Sequence, residues 1–194
     1  MADFKIAFAH TSANEGGYVF DKDDAGGETY RGVARRFNPS WKGWRIIDHS
    51  KSDNPNITNK KLTSLLSKNE KLQDHVGLFY KRAYWDKFWG DEVPDQDIAN
   101  ELFDTSVNLG VRRAVKFVQE SVNLLNRNQK NYKDTEIDGY FGRGTLKVIQ
   151  QYLAIDNSAS LLKIMNTLQG MHYINYMRKN PTQEKYARGW FKRT

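Results

Sequence analysis

The 194-residue sequence contains no cysteine and only four prolines. The absence of cysteine excludes disulfide bonds, cysteine-ligated zinc and thiol nucleophiles. No segment has the length and apolar character of a membrane-spanning helix, and the first ten residues lack the apolar run of a secretory signal. We therefore expect synthesis in the cytoplasm without a signal peptide, and no stable insertion into a membrane.

Metal and nucleotide motifs are also missing. The four histidines are scattered, and no pair of them has the spacing of zinc ligands. No glycine loop followed by Lys-Ser/Thr indicates a nucleotide site, and no Gly-x-Ser-x-Gly elbow indicates a serine hydrolase. The sequence therefore predicts a protein that works without a metal ion or a cofactor.

Positive charge is in excess. The 30 lysines and arginines outnumber the 23 acidic residues, which gives a net charge of +7. This charge favours polyanionic partners such as nucleic acid, anionic lipid or the acidic polymers of a bacterial envelope, and does not choose between them. Basic residues crowd the end of the chain, over residues 178–194, and we interpret this segment as a solvated tail. We expect no nucleic-acid partner.

The spacing of apolar residues is mostly helical in the N-terminal half of the chain. It predicts a short helix that starts near Asp3 and fails near Asn14, followed by a hairpin and loops over residues 16–44. A helix capped by Thr58 is predicted over residues 58–74, and an amphipathic pattern continues from Val76.

The C-terminal half has the stronger helical pattern. It predicts one helix that ends at Gly110, a second with a valine stripe over residues 111–125, a third near 145–154 and a last one from Asn157 or Ser158 towards Tyr176. The expected fold class is therefore mainly α with a small β-hairpin insert near the N-terminus. Pro94 marks the predicted boundary between lobes of residues 1–93 and 94–194.

One segment has the residues for acid–base chemistry. Glu15 is predicted at the end of the first helix, where the helix dipole and the apolar ring of Tyr18 would raise the pKa of its carboxyl. Asp24 follows on the predicted hairpin, and the hydroxyl of Thr29 could hold a water. Two carboxylates that flank one bond are the requirement for glycoside hydrolysis. The alternative is a surface hairpin whose acids are solvated.

A calcium loop is a second alternative for the same acids. Asp21, Asp23 and Gly26 fit the first, third and sixth positions of an EF-hand loop. The fifth position would be Ala25 and the twelfth would be Gly32 in place of the bidentate glutamate. The pattern therefore does not predict a calcium site.

The residues from Glu15 to Gly32 resemble the active-site signature of glycoside hydrolase family 108, lysozyme-like N-acetylmuramidases. The signature is Glu-Gly-Gly-Tyr followed by Asp-x-Gly-Gly-x-Thr-x-x-Gly, and its halves occur at Glu15–Tyr18 and Asp24–Gly32. Residues 80–86 and 90–94 are similar to the linking helix and loop of that family. The segments similar to its C-terminal predicted peptidoglycan-binding module are residues 103–110, 138–146 and 189–190.

The resemblance implies a two-lobed lysozyme-like fold that cuts the β-1,4 bond after N-acetylmuramic acid, with peptidoglycan glycan strands as the partner. It implies that Glu15 is the proton donor, while Asp24 and Thr29 match motif positions with less defined roles. The sequence departs from common members at Ala25, where proline is frequent, and at Ala34, where a hydroxyl residue is usual. Asp23 remains an alternative to Asp24 as the second carboxylate.

Five further side chains are candidate substrate contacts. Tyr84 belongs to an aromatic cluster that is typical of a core, although sugar rings also stack on aromatic faces in clefts. Asp104 and Asn108 share one helix face, and we interpret them as supports that hydrogen-bond the hairpin. The full set of predicted substrate contacts is Tyr18, Tyr30, Tyr84, Asp104 and Asn108.

Three other functions remain open at this level. The chain could be a non-catalytic wall-binding or secretion-assisting protein, or a lytic transglycosylase that uses one acid and forms an anhydro-sugar. Nucleic-acid binding through the basic tail is the third. For the hydrolase we expect a monomer that reaches the cell wall after export or through a holin-type pore. The sequence leaves open whether the anomeric centre is retained or inverted, and whether the enzyme serves a phage or its host.

Overall fold

The computed structural model describes residues 1–12, 16–20 and 27–194. Contacts between residues divide the chain into two compact units. The hairpin unit is Ser12–Arg82, and the helical unit combines Met1–Thr11 with Ala83–Thr194. In the described ranges, the helices are α1 (Phe4–Ser12), α2 (Gly43–Ser52), α3 (Asn59–Ser67), α4 (Glu70–Ala83), α5 (Gln96–Leu109), α6 (Val111–Leu124), α7 (Arg143–Leu153), α8 (Ser158–Lys179) and α9 (Ala187–Trp190). Short 3₁₀ helices cover Trp85–Phe88, Gly90–Glu92 and Pro181–Tyr186.

The hairpin unit contains a small antiparallel sheet in the order β1-β2-β3, where β1 is Tyr18–Phe20, β2 is Glu28–Tyr30 and β3 is Val33–Ala34. Tyr18 pairs with Tyr30, and Tyr30 also pairs with Val33, which fixes the register of the three strands. All three of these side chains are buried. The predicted hairpin over this region is therefore present.

The helices of the hairpin unit differ from the prediction at two places. The prediction of a single helix over residues 58–74 is wrong. Helix α3 ends at Ser67, and a second helix, α4, begins at Glu70. Asn69 favours the start of α4 at this point, because its side-chain oxygen accepts a hydrogen bond from the Leu72 amide at 2.9 Å and so caps the helix. The predicted cap at Thr58 is confirmed, since its hydroxyl accepts from the Lys61 amide. Helix α2 was not predicted.

The helical unit is held by apolar contacts among long helices. The predicted valine stripe is confirmed, because Val115, Val118 and Val122 of α6 are fully buried. Gly110 separates α5 from α6 with a φ of +87°, a value that favours glycine, and this allows the two helices to fold against each other. Helix α8 packs on both and begins at the predicted cap, Asn157, whose side chain accepts from the Ala159 amide.

An aromatic cluster forms a second part of this core. The Trp85 ring is fully buried, and its centroid lies 5.7 Å from Phe4, 5.4 Å from Phe88 and 5.9 Å from Phe103. These contacts bring α1, the 3₁₀ segment and α5 together around one large side chain. Trp85 is therefore a core residue of the helical unit.

The predicted fold class, mainly α with a small sheet near the N-terminus, is confirmed. The division into lobes at residues 93 and 94 stays a prediction. In the part of the chain described above, no helix combines the length and the apolar character needed to cross a bilayer.

Candidate active site

The predicted proton donor and its partner lie outside the described residues. Glu15 lies between the described ranges 1–12 and 16–20, and Asp24 and the alternative carboxylate Asp23 lie between 16–20 and 27–194. Their roles therefore stay predictions. The structure describes the parts of the motif that flank them, which are residues 16–20 and 27–34, and these show how the hairpin is held.

The first half of the motif is fixed against α3. The Tyr18 amide donates to the Thr63 hydroxyl at 2.9 Å. A Cβ added at Gly17 would lie 2.2 Å from Thr63 Cγ2, so only glycine allows α3 to approach the backbone this closely. The glycine at the third position of Glu-Gly-Gly-Tyr is thus required by the close packing of α3, which lies outside the motif.

The second half of the motif is fixed against α4. The turn between β2 and β3 uses left-handed backbone at Arg31 (φ +42°) and Gly32 (φ +77°). Gln73 accepts from the Arg31 guanidinium at 2.7 Å and donates to the Tyr30 hydroxyl at 3.0 Å. The Tyr80 hydroxyl donates to the Arg31 carbonyl at 3.0 Å. Two polar side chains of one helix therefore hold both the strand and the turn that follows it.

A buried carboxylate, Glu28, connects the sheet to α2. Its Oε1 accepts from the Tyr18 hydroxyl at 2.7 Å and from Lys51 Nζ at 2.9 Å. Its Oε2 lies 2.7 Å from Arg35 Nε, and Arg35 also pairs with Asp48 at 2.6 Å. Glu28 is only 8% exposed, and it sits in the motif position between glycine and threonine that carries no fixed residue type.

The protonation states of this network follow from its contacts. Burial raises the pKa of Tyr18, and its hydrogen bond to Glu28 raises it further. Burial lowers the pKa of Lys51, but its hydrogen bonds to Glu28 and Tyr18 outweigh that effect and leave the pKa raised. At neutral pH Tyr18 is thus a neutral donor and Lys51 is charged. We interpret Glu28 as a paired charge that positions the hairpin.

Thr29 lies on the other side of the strand from this network. It pairs with Val19, and alternation along a strand places these two side chains on one face and Tyr18 with Tyr30 on the opposite face. Val19 is 49% exposed, while the two tyrosines are buried. The Thr29 side chain is half-buried, and its predicted role in holding a water stays a prediction.

The candidate substrate contacts fall into two groups. Tyr18 and Tyr30 are buried in the hairpin unit, with hydroxyls bonded to Glu28 and Gln73. Tyr84 is half-buried and belongs to the helical unit, directly before the 3₁₀ helix that starts at Trp85. That any of the three touches substrate stays a prediction.

Asp104 and Asn108 are both bonded within the helical unit. Asp104 forms an ion pair with Arg193 at 2.6 Å, and the Asn108 amide donates to the Tyr173 hydroxyl. These bonds tie α5 to α8 and to the C-terminal segment, whereas the sequence interpretation directed both side chains to the hairpin. Arg193 was read from the sequence as part of a solvated tail, but here it has a buried partner. Substrate binding by Asp104 and Asn108 stays a prediction.

Glu101 is a titratable residue that the sequence analysis missed. It lies on α5, where burial, followed by the nearby charge of Asp104, raises its pKa to about 7. The Thr105 hydroxyl donates to its Oε1 at 2.8 Å and opposes this rise. The sequence gave one weak indication that Glu101 is partly buried, because the apolar residues Ile98 and Leu102 lie three positions before it and one after it on the same helix.

Replacing Glu101 by glutamine should stabilise the protein more at pH 8 than at pH 5. A carboxyl with a raised pKa is protonated when folded and ionised when unfolded between about pH 4.5 and 7, so stability falls as pH rises through this window. Glu101→Gln removes that loss, which amounts to about 3 kcal/mol at most. Urea unfolding of both proteins at the two pH values measures the change, and a difference that does not vary with pH would contradict the prediction.

Within the described ranges, no group of three or more histidine, aspartate or glutamate side chains is placed to hold a metal ion.

Comparison with known proteins adds two family matches and one structural likeness. Residues 8–110 match the family model described as Glycosyl hydrolase 108, and residues 113–194 match the one described as Predicted Peptidoglycan domain. The solved structure of Brucella abortus SagA is similar over 98% of this chain and 88% of that one, with 23% identity and a TM-score of 0.58. At this level of sequence identity, the structural similarity supports a shared fold and nothing further. No curated protein gave a significant match.

Proposed function

Because this chain belongs to the glycosyl hydrolase 108 family and carries a peptidoglycan domain, it is a glycosidase that acts on peptidoglycan, and we propose that it hydrolyses the β-1,4 bond between N-acetylmuramic acid and N-acetylglucosamine. The observation that carries this proposal is the complete signature between Glu15 and Gly32, which lies inside the matched range. The resemblance to lysozyme-like N-acetylmuramidases supports the choice of bond.

In the proposed reaction Glu15 donates a proton to the leaving oxygen. Asp24 stabilises the positive charge that develops on the sugar ring, and water completes the turnover. Thr29 lies on the less buried face of β2, which supports its proposed role in orienting that water. The reaction needs no cofactor, because proton transfer and charge stabilisation by carboxylates are sufficient for hydrolysis of an acetal.

The hydrogen bonds that hold the described parts of the hairpin support these roles. A proton donor must be held close to its target geometry, since small displacements cost large factors in rate. Thr63 and Glu28 each accept a hydrogen bond from Tyr18, and Gln73 and Tyr80 bond Arg31, so the described segments on both sides of the hairpin are held in place. The positive net charge would hold the enzyme to an anionic wall and speed its encounter with substrate.

The products distinguish hydrolysis from the closest rival reaction. We expect purified sacculi digested with the wild-type protein to give fragments that end in reducing N-acetylmuramic acid, identified by mass spectrometry after borohydride reduction. A lytic transglycosylase gives 1,6-anhydro ends, which do not take up hydride. Fragments that end in reducing N-acetylglucosamine would show cleavage of the other bond. Either of these outcomes would contradict the proposed bond or mechanism.

A further inference from the structure

A pocket of about 830 Å³ lies between one face of α2 and the start of α4, entirely within the hairpin unit. Its lining includes three permanently cationic side chains and two histidines, and no acidic side chain is among the lining residues. The cations are Lys42, Arg45 and Lys71. The pocket therefore concentrates positive charge in a concave surface, where low-dielectric walls strengthen the field.

The helix geometry explains how this charge is gathered. Residues 42, 45, 46 and 49 follow the spacing of one helix face, so Lys42 and Arg45 project from the first turn of α2 on the same side as Ile46. The start of α2 has no side-chain cap and no acidic residue in its first turn. The positive end of the helix dipole therefore adds to the potential of the two side chains.

These cations have no described ion-pair partner, unlike the basic residues next to them. Arg35 and Lys51 are paired with Glu28, and His49 lies 3.4 Å from Asp53. In the described ranges no salt bridge is formed by Lys42, Arg45 or Lys71. Gathering like charges without partners costs free energy, which an anionic ligand would recover.

The size and character of the pocket indicate more than a bare anion. Its volume falls in the range of pockets that enclose small organic ligands and is many times the volume of one inorganic anion. Ile46 and the aliphatic stems of the two lysines supply apolar surface beside the charged groups. Asn69 uses its side-chain oxygen to cap α4, which leaves its amide nitrogen as a further donor. These features suit a short peptide that carries carboxylates.

We propose that this pocket binds the carboxylate-bearing peptide stems of peptidoglycan while the glycan strand is processed by the same hairpin unit. The inference rests on the proposed function, because it takes peptidoglycan as the substrate. Muramic acid residues along the glycan carry peptides with free carboxylates, so an enzyme that cuts this strand meets an anionic peptide at regular intervals. The pocket would then contribute affinity and favour stem-bearing over bare strands.

The test compares two variants with the same change in net charge. The pocket variant combines Lys42→Gln, Arg45→Gln and Lys71→Gln. The control combines Lys60→Gln, Lys61→Gln and Lys68→Gln, three exposed lysines of the same unit that lie outside the pocket lining. Each protein is incubated with intact sacculi and with sacculi whose stems were removed by an amidase, and the bound fraction is measured by sedimentation.

We expect the pocket variant to bind intact sacculi about tenfold more weakly than the control variant, because it loses three exposed charges that each contribute a fraction of a kcal/mol. On stripped sacculi the two variants should bind alike. Equal affinities on intact sacculi, or an equal deficit on stripped ones, would overturn the proposal. A deficit confined to phosphatidylglycerol vesicles would identify a lipid phosphate site and would overturn it as well.

Reducing ends released by the wild-type protein from both kinds of sacculi are counted in parallel. Release of reducing muramic acid with no difference in binding between the two variants would reject the peptide pocket and leave the proposed hydrolysis intact. Failure to release such ends from either substrate would reject the hydrolysis itself, whatever the variants bind.

Discussion

Glu15→Gln is expected to lower the rate of glycosidic bond cleavage in sacculi by about 10²–10⁴-fold, with little change in stability. Glutamine has the shape of the protonated glutamic acid but has no acidic proton to give to the leaving oxygen. The measurement is the initial rate of release of reducing ends from purified sacculi. Binding to sacculi by sedimentation is measured on the same samples.

Glu101→Gln is the matched control for this variant. It makes the same substitution at a carboxyl whose pKa is raised to about 7 and which lies half-buried on α5 in the helical unit. We expect this control to cleave sacculi at close to the wild-type rate. If instead Glu101→Gln were inactive and Glu15→Gln active, the proton donor would have to be reassigned to Glu101.

The same pair of measurements separates an enzyme from a wall-binding protein. Loss of cleavage with retained binding supports a hydrolase whose acid is Glu15. Unchanged activity on cells in the Glu15→Gln protein would indicate that the effect comes from binding alone.

Asp24→Asn and Asp23→Asn, assayed alongside, would show which of the two acids is the second carboxylate. Only substitution of the functional acid should lower the rate of cleavage strongly.

The helices were predictable where apolar spacing and capping agreed. Helix α6 combines a valine stripe with a start after Gly110, and α8 starts at an asparagine cap, so local signals were sufficient for both. The break between α3 and α4 was missed because leucines continue across it at helical spacing. The cap at Asn69 competes with that pattern and prevails, because it satisfies amides at the start of α4.

Helix α2 was missed for a different reason. It buries only Gly43, Trp44 and Ile47, and its other face carries the basic residues of the pocket. Its start at Gly43 lies inside the segment 16–44, which the glycines and aromatic residues led us to predict as a hairpin and loops. The polar face of this helix lines the pocket that we propose as a binding surface.

The motif was recognisable from sequence, but the groups that hold it were not. Thr63, Gln73 and Tyr80 lie more than forty residues from their partners at Tyr18, Tyr30 and Arg31. Such pairs follow from tertiary packing and have no local pattern. Glu28 occupies a variable position of the motif, so its role as the link between β1, β2 and α2 could be assigned only once Lys51 and Arg35 were placed beside it.

Glu28→Gln is expected to destabilise the protein by about 2 kcal/mol and to lower cleavage activity with it. Breaking a buried ion pair by removing one partner costs about 3–5 kcal/mol, because the other charge is left uncompensated. The side chains of Arg35 and Lys51 are 33% and 40% exposed, so water recovers part of that cost. Urea unfolding at pH 7 measures the free energy, and release of reducing ends measures the activity.

Two further substitutions show whether the effect comes from the network around Glu28. Asp48→Asn removes the exposed acid that shares Arg35 and should cost less than about 1 kcal/mol, as is usual for surface pairs. Tyr18→Phe removes the hydrogen bond that a neutral hydroxyl donates to the Glu28 carboxylate and should cost about 1.5 kcal/mol, since both cations keep their carboxylate. If Glu28→Gln cost no more than Asp48→Asn, the hairpin would not depend on this carboxylate. Its position would then have to come from the α3 and α4 contacts of Thr63, Gln73 and Tyr80.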